Sequence, residues 1–144
     1  MITTIYQHYL KAHKVSTDSR KIEKDAVFFA LKGENFDAND FALQVAEDGV
    51  ASLVVADRKD LPRHERILIV DNTLKTLQDL AAYHRQQSRA TILSITGTNG
   101  KTTTKELVSA VLAKKYRIIH TMGNLNNHIG VPLTLLSIQP DTEI

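Results

Sequence analysis

The stretch Ser94-Ile95-Thr96-Gly97-Thr98-Asn99-Gly100-Lys101-Thr102-Thr103-Thr104 decides how this chain is read. An apolar run from Thr91 to Thr96 leads into it and an amphipathic run from Lys101 to about Lys114 leaves it, which predicts a strand, a glycine-rich turn and a helix. Such a junction suits a phosphate. Gly97 and Gly100 open backbone angles closed to other residues, so successive N–H groups can turn inward on an anion, and the helix opening near Lys101 adds its positive dipole end. Lys101 supplies a mobile cation, and Thr102 or Thr103 a hydroxyl for a magnesium ion. The usual phosphate-loop spacing, G-x-x-x-x-G-K-[ST], is not met, because Ile95 stands where the first glycine belongs. The loop is the shorter G-x-x-G-K-T. A plain helix start, with Thr98 or Asn99 as N-cap, is the alternative. The flanking strand and helix favour nucleotide phosphate.

Around this stretch the composition is that of an ordinary globular chain. With 144 residues, 42% apolar and 24% charged, it can bury a core in one domain or two small ones. The sequence has no apolar run of about 18 residues and no charged-then-apolar leader, so neither a membrane span nor a secretory signal is expected. The absence of cysteine suits a cytoplasmic protein. A net charge of +2, with Lys and Arg spread among acids, gives no basic stripe and no indication of nucleic acid. The six histidines, His8, His13, His64, His84, His120 and His128, form no metal-ligand spacing.

Before the glycine loop, Thr3 to Lys14 predicts a helix with Ile5, Tyr6 and Leu10 on one side. A polar loop, Val15 to Lys21, follows, then a buried strand at Ala26–Leu31. A second helix is expected from about Phe41 to Asp48, with Asp40 as N-cap and Gly49 at its end. Ala51–Ala56 and Arg66–Val70 read as two more strands, and Thr73 as the cap of a helix reaching His84. The polar run Arg85 to Arg89 closes this unit, which places a domain boundary near residue 85. After the loop, Leu107, Val108, Val111 and Leu112 form the expected buried side of the following helix. Arg117–His120 then reads as a short strand, and Val131–Leu136 as a helix with Pro132 in its first turn.

A phosphate-loop fold ordinarily has a second core strand ending in an acid that helps to hold magnesium. Only 44 residues follow Gly100, and their acids, Glu106, Asp141 and Glu143, are not at such a strand end. The expectation is therefore an amino-terminal piece of a longer enzyme, binding nucleotide weakly and catalysing nothing by itself.

Four motifs together resemble the Mur ligases, the ATP-dependent amide ligases that build the peptide stem of bacterial peptidoglycan. They are T-D-S-R-K at Thr17–Lys21, F-F-A-L-K-G-E-N-F-D at Phe28–Asp37, T-G-T-N-G-K-T-T-T-K-E at Thr96–Glu106, and G-N-L-N-N-H-I-G-V-P-L-T-L-L at Gly123–Leu136. The last is the narrowest and favours the branch that adds D-alanyl-D-alanine to UDP-N-acetylmuramoyl-tripeptide. The resemblance implies a small amino-terminal α/β UDP-binding domain, residues 1–85, followed by the start of a P-loop-type parallel-sheet ATPase domain, residues 86–144. It also implies ATP and Mg2+ as cofactors, and a cytoplasmic, monomeric protein. In the family, a carboxylate is activated by phosphorylation and an amine then forms the amide.

By the same resemblance Gly97, Thr98, Asn99, Gly100, Lys101, Thr102 and Thr103 cradle the phosphates. Lys101 is the catalytic cation and Thr102 a magnesium ligand, with the partner acid beyond this chain. Asp18, Ser19, Arg20, Lys32 and Gly33 resemble the uridine-side loops, and Asn124, Asn126 and Asn127 could hydrogen-bond the sugar or diphosphate. Each has a structural alternative: an Asp18–Arg20 pair that only holds its turn, asparagines bonded within their own loop, and Thr103 packing at a helix start. Two other functions stay open: another Mur or folylpolyglutamate-type ligase, or a non-catalytic UDP-sugar binding module.

Overall fold

The computed structural model describes residues 1–123 and 125–144. The chain forms α1 (Ile2–Ala12), β1 (Val15–Ser16), β2 (Val27–Phe29), a 3-10 turn (Ala38–Phe41) and α2 (Ala42–Asp48). It continues through β3 (Leu53–Ala56), β4 (Ile67–Ile69), α3 (Thr73–Gln87), α4 (Lys101–Leu112) and α5 (Gly130–Leu136).

The four strands make one sheet in the order β1-β2-β3-β4, and every pair is parallel, with Phe28 opposite Val54 and Val55 opposite Leu68. Parallel central strands are covered on both faces, so they carry unbroken apolar runs rather than alternation. That is why Val27-Phe28-Phe29 and Leu53-Val54-Val55-Ala56 are buried throughout. Val27, Phe29, Leu53 and Val55 face Ile5 and Tyr9 of α1 and Leu77, Leu80 and Ala81 of α3. On the other face, Phe28, Ala30, Val54 and Ala56 meet Ala42, Val45 and Ala46 of α2. The result is an α/β fold with a parallel sheet between helical layers.

Local chemistry moved several boundaries. Val15-Ser16, read from sequence as loop, pairs with β2, since its edge needs only two residues of ladder. Asp40 does not cap α2. The Asp37 carboxylate instead accepts the N–H of Asn39 and starts the 3-10 turn, while Asp40 pairs with Arg58. Asn72, one residue before Thr73, caps α3 by accepting the Lys75 N–H at 2.7 Å. Tyr9 rather than Leu10 completes the inner face of α1. Gly49 ends α2 as expected, in the left-handed region at φ 69°.

The largest differences follow the glycine loop. Thr91–Thr96 and Arg117–His120 are not strands among the described residues, because neither has a ladder partner along its length. Their backbone bonds are isolated: Thr91 donates to Glu143, Glu143 to Arg117, and Ile119 to Ile144. No residue of α4 is buried, and Leu107 and Val111, expected inside, are 65% and 71% exposed. A stripe becomes a core only where another layer covers it. α5 does find one, packing on α3 with Leu136 in the α1/α3 core.

A polar knot seals that junction. His84 of α3 is buried, with Nε2 2.9 Å from the Ile138 carbonyl, which can only accept, so Nε2 carries the proton. Tyr6 then donates to Nδ1 at 3.2 Å, and Tyr9 donates to the Leu136 carbonyl at 2.7 Å. Burial, with the nearby His13, pushes the His84 pKa below its ordinary 6.5, against the opposing pull of the Ile138 carbonyl. Because the folded value lies below the unfolded one, the stabilisation is complete above about pH 6.5 and is lost as pH falls through the folded value. Unfolding by urea at pH 7.5 and 5.5 should show lower stability at the acid pH, and His84→Gln should shrink that difference. His8, also lowered chiefly by burial, leaves a residual slope. An unchanged pH difference in His84→Gln would refute the assignment.

Candidate functional site

The glycine turn meets α4 as a left-handed residue. Gly100 lies at φ 75°, ψ 0°, and is the helix N-cap, with no side chain capping the helix. Thr98 and Asn99 therefore do not take the capping role that sequence offered them. A Cβ at Gly100 would meet nothing within 4 Å, so the dihedral and not crowding calls for glycine. The first-turn N–H groups from Lys101 to Thr103 have no intrahelical acceptor, which leaves them aimed outward at the positive helix end. Lys101 folds back on the turn, its Nζ donating to the carbonyls of Gly97 at 2.6 Å and Thr98 at 3.4 Å. These bonds are exposed, so water or an anion can replace them at small cost.

A cavity of about 350 Å³ opens beside the turn, between the 91–95 segment, α4, residues 118–121 and α5. Lys101, Thr102, Lys105, Thr121 and Asn126 line it. Thr102 thus lines the same cavity that Lys101 borders. Among the described residues no group of three or more His, Asp or Glu side chains could hold a metal by itself.

Lys105 was not singled out from sequence, although it lies in the T-T-T-K-E motif. Its Nζ donates to the carbonyls of Thr121 at 2.5 Å and Gly123 at 2.7 Å, and lies 3.0 Å from Glu106. The ammonium is occupied in tying the loop after residue 120 to α4. Asn127 holds the turn that enters α5, its Oδ1 accepting the N–H groups of Ile129 and Gly130 at 3.1 and 2.7 Å. Gly130 has no room for a side chain, since a Cβ would stand 2.3 Å from the Leu125 carbonyl oxygen. Asn124 lies outside the described residues.

The remaining expected positions sit elsewhere. Asp18, Ser19 and Arg20 follow the carboxyl end of β1, and Lys32 and Gly33 that of β2, the edge where open parallel sheets take ligands. None of the five lines the cavity by α4. Arg20 grips Asp18 through Nε and Nη2, both at 2.9 Å, and through its own N–H at 3.0 Å. The side-chain hydrogen bond from Arg20 holds the Asp18 carboxyl at about 2. The turn-holding pair that sequence allowed is therefore present. Lys32 and Gly33 lie on a small hairpin: Ala38 donates to Leu31 at 3.0 Å, Gly33 to Phe36 at 2.8 Å, and Lys32 bridges Asp37. Structure thus gathers Lys101, Thr102 and Asn126 round one cavity and leaves the uridine-side candidates on the sheet edge.

A parallel α/β scaffold ending in a glycine turn at a helix start defines a class, and comparison with known proteins narrows it. Residues 95–144 match the Mur ligase middle domain. The chain is 46% identical over 134 residues to the UDP-N-acetylmuramoyl-tripeptide--D-alanyl-D-alanine ligase of Bacillus subtilis, covering 92% of this chain and 29% of that protein. Against the Escherichia coli ligase of the same name it is 44% identical, covering 88% and 28%. A crystal structure of MurF from Acinetobacter baumannii superposes with a TM-score of 0.81 at 33% identity, covering 99% of this chain and 34% of that one. MurF ligase from Thermotoga maritima, solved in complex with ADP, superposes at 0.75 with 34% identity, covering 85% and 28%. The chain belongs to the Mur ligase family, over its amino-terminal and middle-domain region. It spans about 29% of the length of the curated relatives it matches. Among the described residues no helix is long and apolar enough to cross a membrane.

Proposed function

We propose that this chain supplies the uridine-side and phosphate-loop parts of an ATP-dependent amide ligase that joins D-alanyl-D-alanine to UDP-N-acetylmuramoyl-tripeptide in peptidoglycan synthesis. The observation that carries the reading is the 46% identity maintained over 92% of the chain to a ligase of that name. Residues 1–85 form the UDP-binding domain and residues 86–144 the first part of a P-loop-type ATPase domain. The protein works in the cytoplasm as a monomer.

The residues present fit a nucleotide phosphate. Gly97 and Gly100 take positive φ, 150° and 75°, the first N–H groups of α4 are uncapped, and Lys101 can leave its carbonyls for an anion. Lys101 draws the β- and γ-phosphates against the helix end, and Thr102 offers a hydroxyl to Mg2+ alongside an acid supplied from outside this chain. The metal, when bound, neutralises charge on the transferring phosphoryl group. Asp18, Ser19, Arg20, Lys32 and Gly33 take the uridine and diphosphate end, while Asn124, Asn126 and Asn127 hydrogen-bond the sugar or diphosphate.

Thermal-shift titration of the chain tests the reading. UDP-N-acetylmuramoyl-tripeptide should raise the melting temperature by several degrees, and folate substrates should not; at a hundredfold excess over Kd the stabilisation is about 2.7 kcal/mol. A shift with folates alone would establish the folylpolyglutamate-type reading instead. A shift with UDP-sugar, coupled with indifference of the full-length protein to ATP, would establish the non-catalytic one. The 144-residue chain by itself should turn over no ATP.

A further inference from the structure

At the carboxyl edge of the sheet, one buried side chain joins three strand ends. Asn39 is 1% exposed, and its amide donates to the Asp57 carboxylate at 3.0 Å, to Asp37 Oδ1 at 2.8 Å and to the Ala30 carbonyl at 3.3 Å. Two N–H bonds face three acceptors, so one is shared. Its Oδ1 accepts the Asp57 N–H at 3.1 Å. The other oxygen of Asp57 accepts the N–H of Thr73, the first residue of α3, at 3.1 Å. Ala30 follows β2, Asp57 follows β3, and Thr73 follows β4.

Asn39 also stands at the base of the Leu31–Ala38 hairpin that carries Lys32 and Gly33. Arg58 braces the same base from outside, its Nη2 reaching Asp37 at 3.3 Å and Asp40 at 2.5 Å. Burial works against the Asp37 carboxylate, yet the hydrogen bonds from Asn39 and Arg58 hold its pKa below the usual value. Two rings complete the hairpin's outer side: Phe36, 53% exposed, stacks on Phe41 at 5.6 Å. A hairpin with so exposed an outer face has little apolar packing to fix its angle to the sheet. The polar clasp supplies that angle, because a buried amide bonded on every side has one orientation of lowest energy.

We propose that Asn39 and Asp57, with Arg58 as outer brace, are positioning residues that set the hairpin for the uridine diphosphate end of the substrate. The inference rests on the uridine-side reading of Lys32 and Gly33. Removing the clasp misplaces the hairpin without touching the glycine turn by α4, so it weakens the diphosphate nucleotide of uridine selectively.

The probe is UDP, titrated calorimetrically into the chain well below its melting temperature. Asn39→Ala should raise the UDP Kd by about tenfold or more, since a displacement near 1 Å in a positioned group has effects of that order. Val45→Ala, which trims the α2 core beside the clasp, is the control for lost stability and should leave the UDP Kd within about twofold despite a lower melting temperature. Equal UDP affinities in Asn39→Ala and Val45→Ala would overturn the inference. Should Asn39→Ala not fold, Arg58→Ala decides: it touches no core, and an unchanged UDP Kd in it would overturn the inference equally. If the unaltered chain takes up no UDP at all, the uridine-side reading itself falls, a result distinct from tight binding that ignores the clasp.

Discussion

Lys101→Ala in the full-length ligase should lower kcat/KM by about a hundredfold or more, the scale on which loss of one preorganised group facing developing charge is felt. On the proposed reading the phosphoryl oxygens gather charge as the transfer proceeds, and the Lys101 ammonium at the start of α4 would act on that charge together with the uncapped N–H groups. The structure makes the test clean. Among the described residues Lys101 bonds only to the carbonyls of its own turn, and it belongs to neither core, so its loss should move stability by no more than about 0.5 kcal/mol. UDP affinity, which the proposed reading assigns to other residues on the sheet edge, should stay within about twofold. Full-length enzyme with normal melting, normal UDP binding and collapsed turnover is the expected outcome. Turnover within about threefold of the original would remove Lys101 from the phosphate site.

The two halves of the chain were unequally legible from sequence. Phe28-Phe29 and Val54-Val55 announce themselves, because a strand buried on both faces is a short continuous apolar run between turn residues, and no other element of that length looks the same. Asn72 and Asp37 displaced the expected caps by a residue or three, since several neighbouring side chains could each accept an N–H and only the backbone's path selects one. The glycine turn was legible because Gly100 requires a dihedral, a local property. The burial of α4 was not, because Leu107 and Val111 specify an apolar stripe but not what meets it. Asn39 escaped notice for a related reason: an asparagine in a polar loop reads as turn chemistry, and its partners Asp57 and Ala30 are distant in sequence. Lys105 carried no signal for the same reason, since its partners Thr121 and Gly123 lie 16 and 18 residues away.

That contrast between stripe and layer yields the largest expected effect on stability. Phe29 is fully buried on the α1/α3 face of β2, in one cluster with Ile5, Tyr9, Val55, Leu77, Leu80 and Leu136. Phe29→Ala removes a ring from the middle of that cluster and should cost about 3–5 kcal/mol, transfer and cavity together. A domain of this size is stable by only about 5–15 kcal/mol, so roughly a fifth or more of the total goes with one side chain. Since Leu136 of α5 shares the cluster, the loss reaches the element after the asparagine loop as well as the sheet. Leu107→Ala in the same 144-residue chain removes nearly as apolar a residue from the apolar stripe of α4, yet Leu107 is 65% exposed and should cost no more than about 0.5 kcal/mol. Urea unfolding of the two variants side by side measures both. Comparable losses would mean that α4 is covered in solution and that the layer assignment is wrong; a large loss at Phe29 with almost none at Leu107 follows only if the core lies between α1, α3 and the sheet, with the helix after the glycine turn standing outside it.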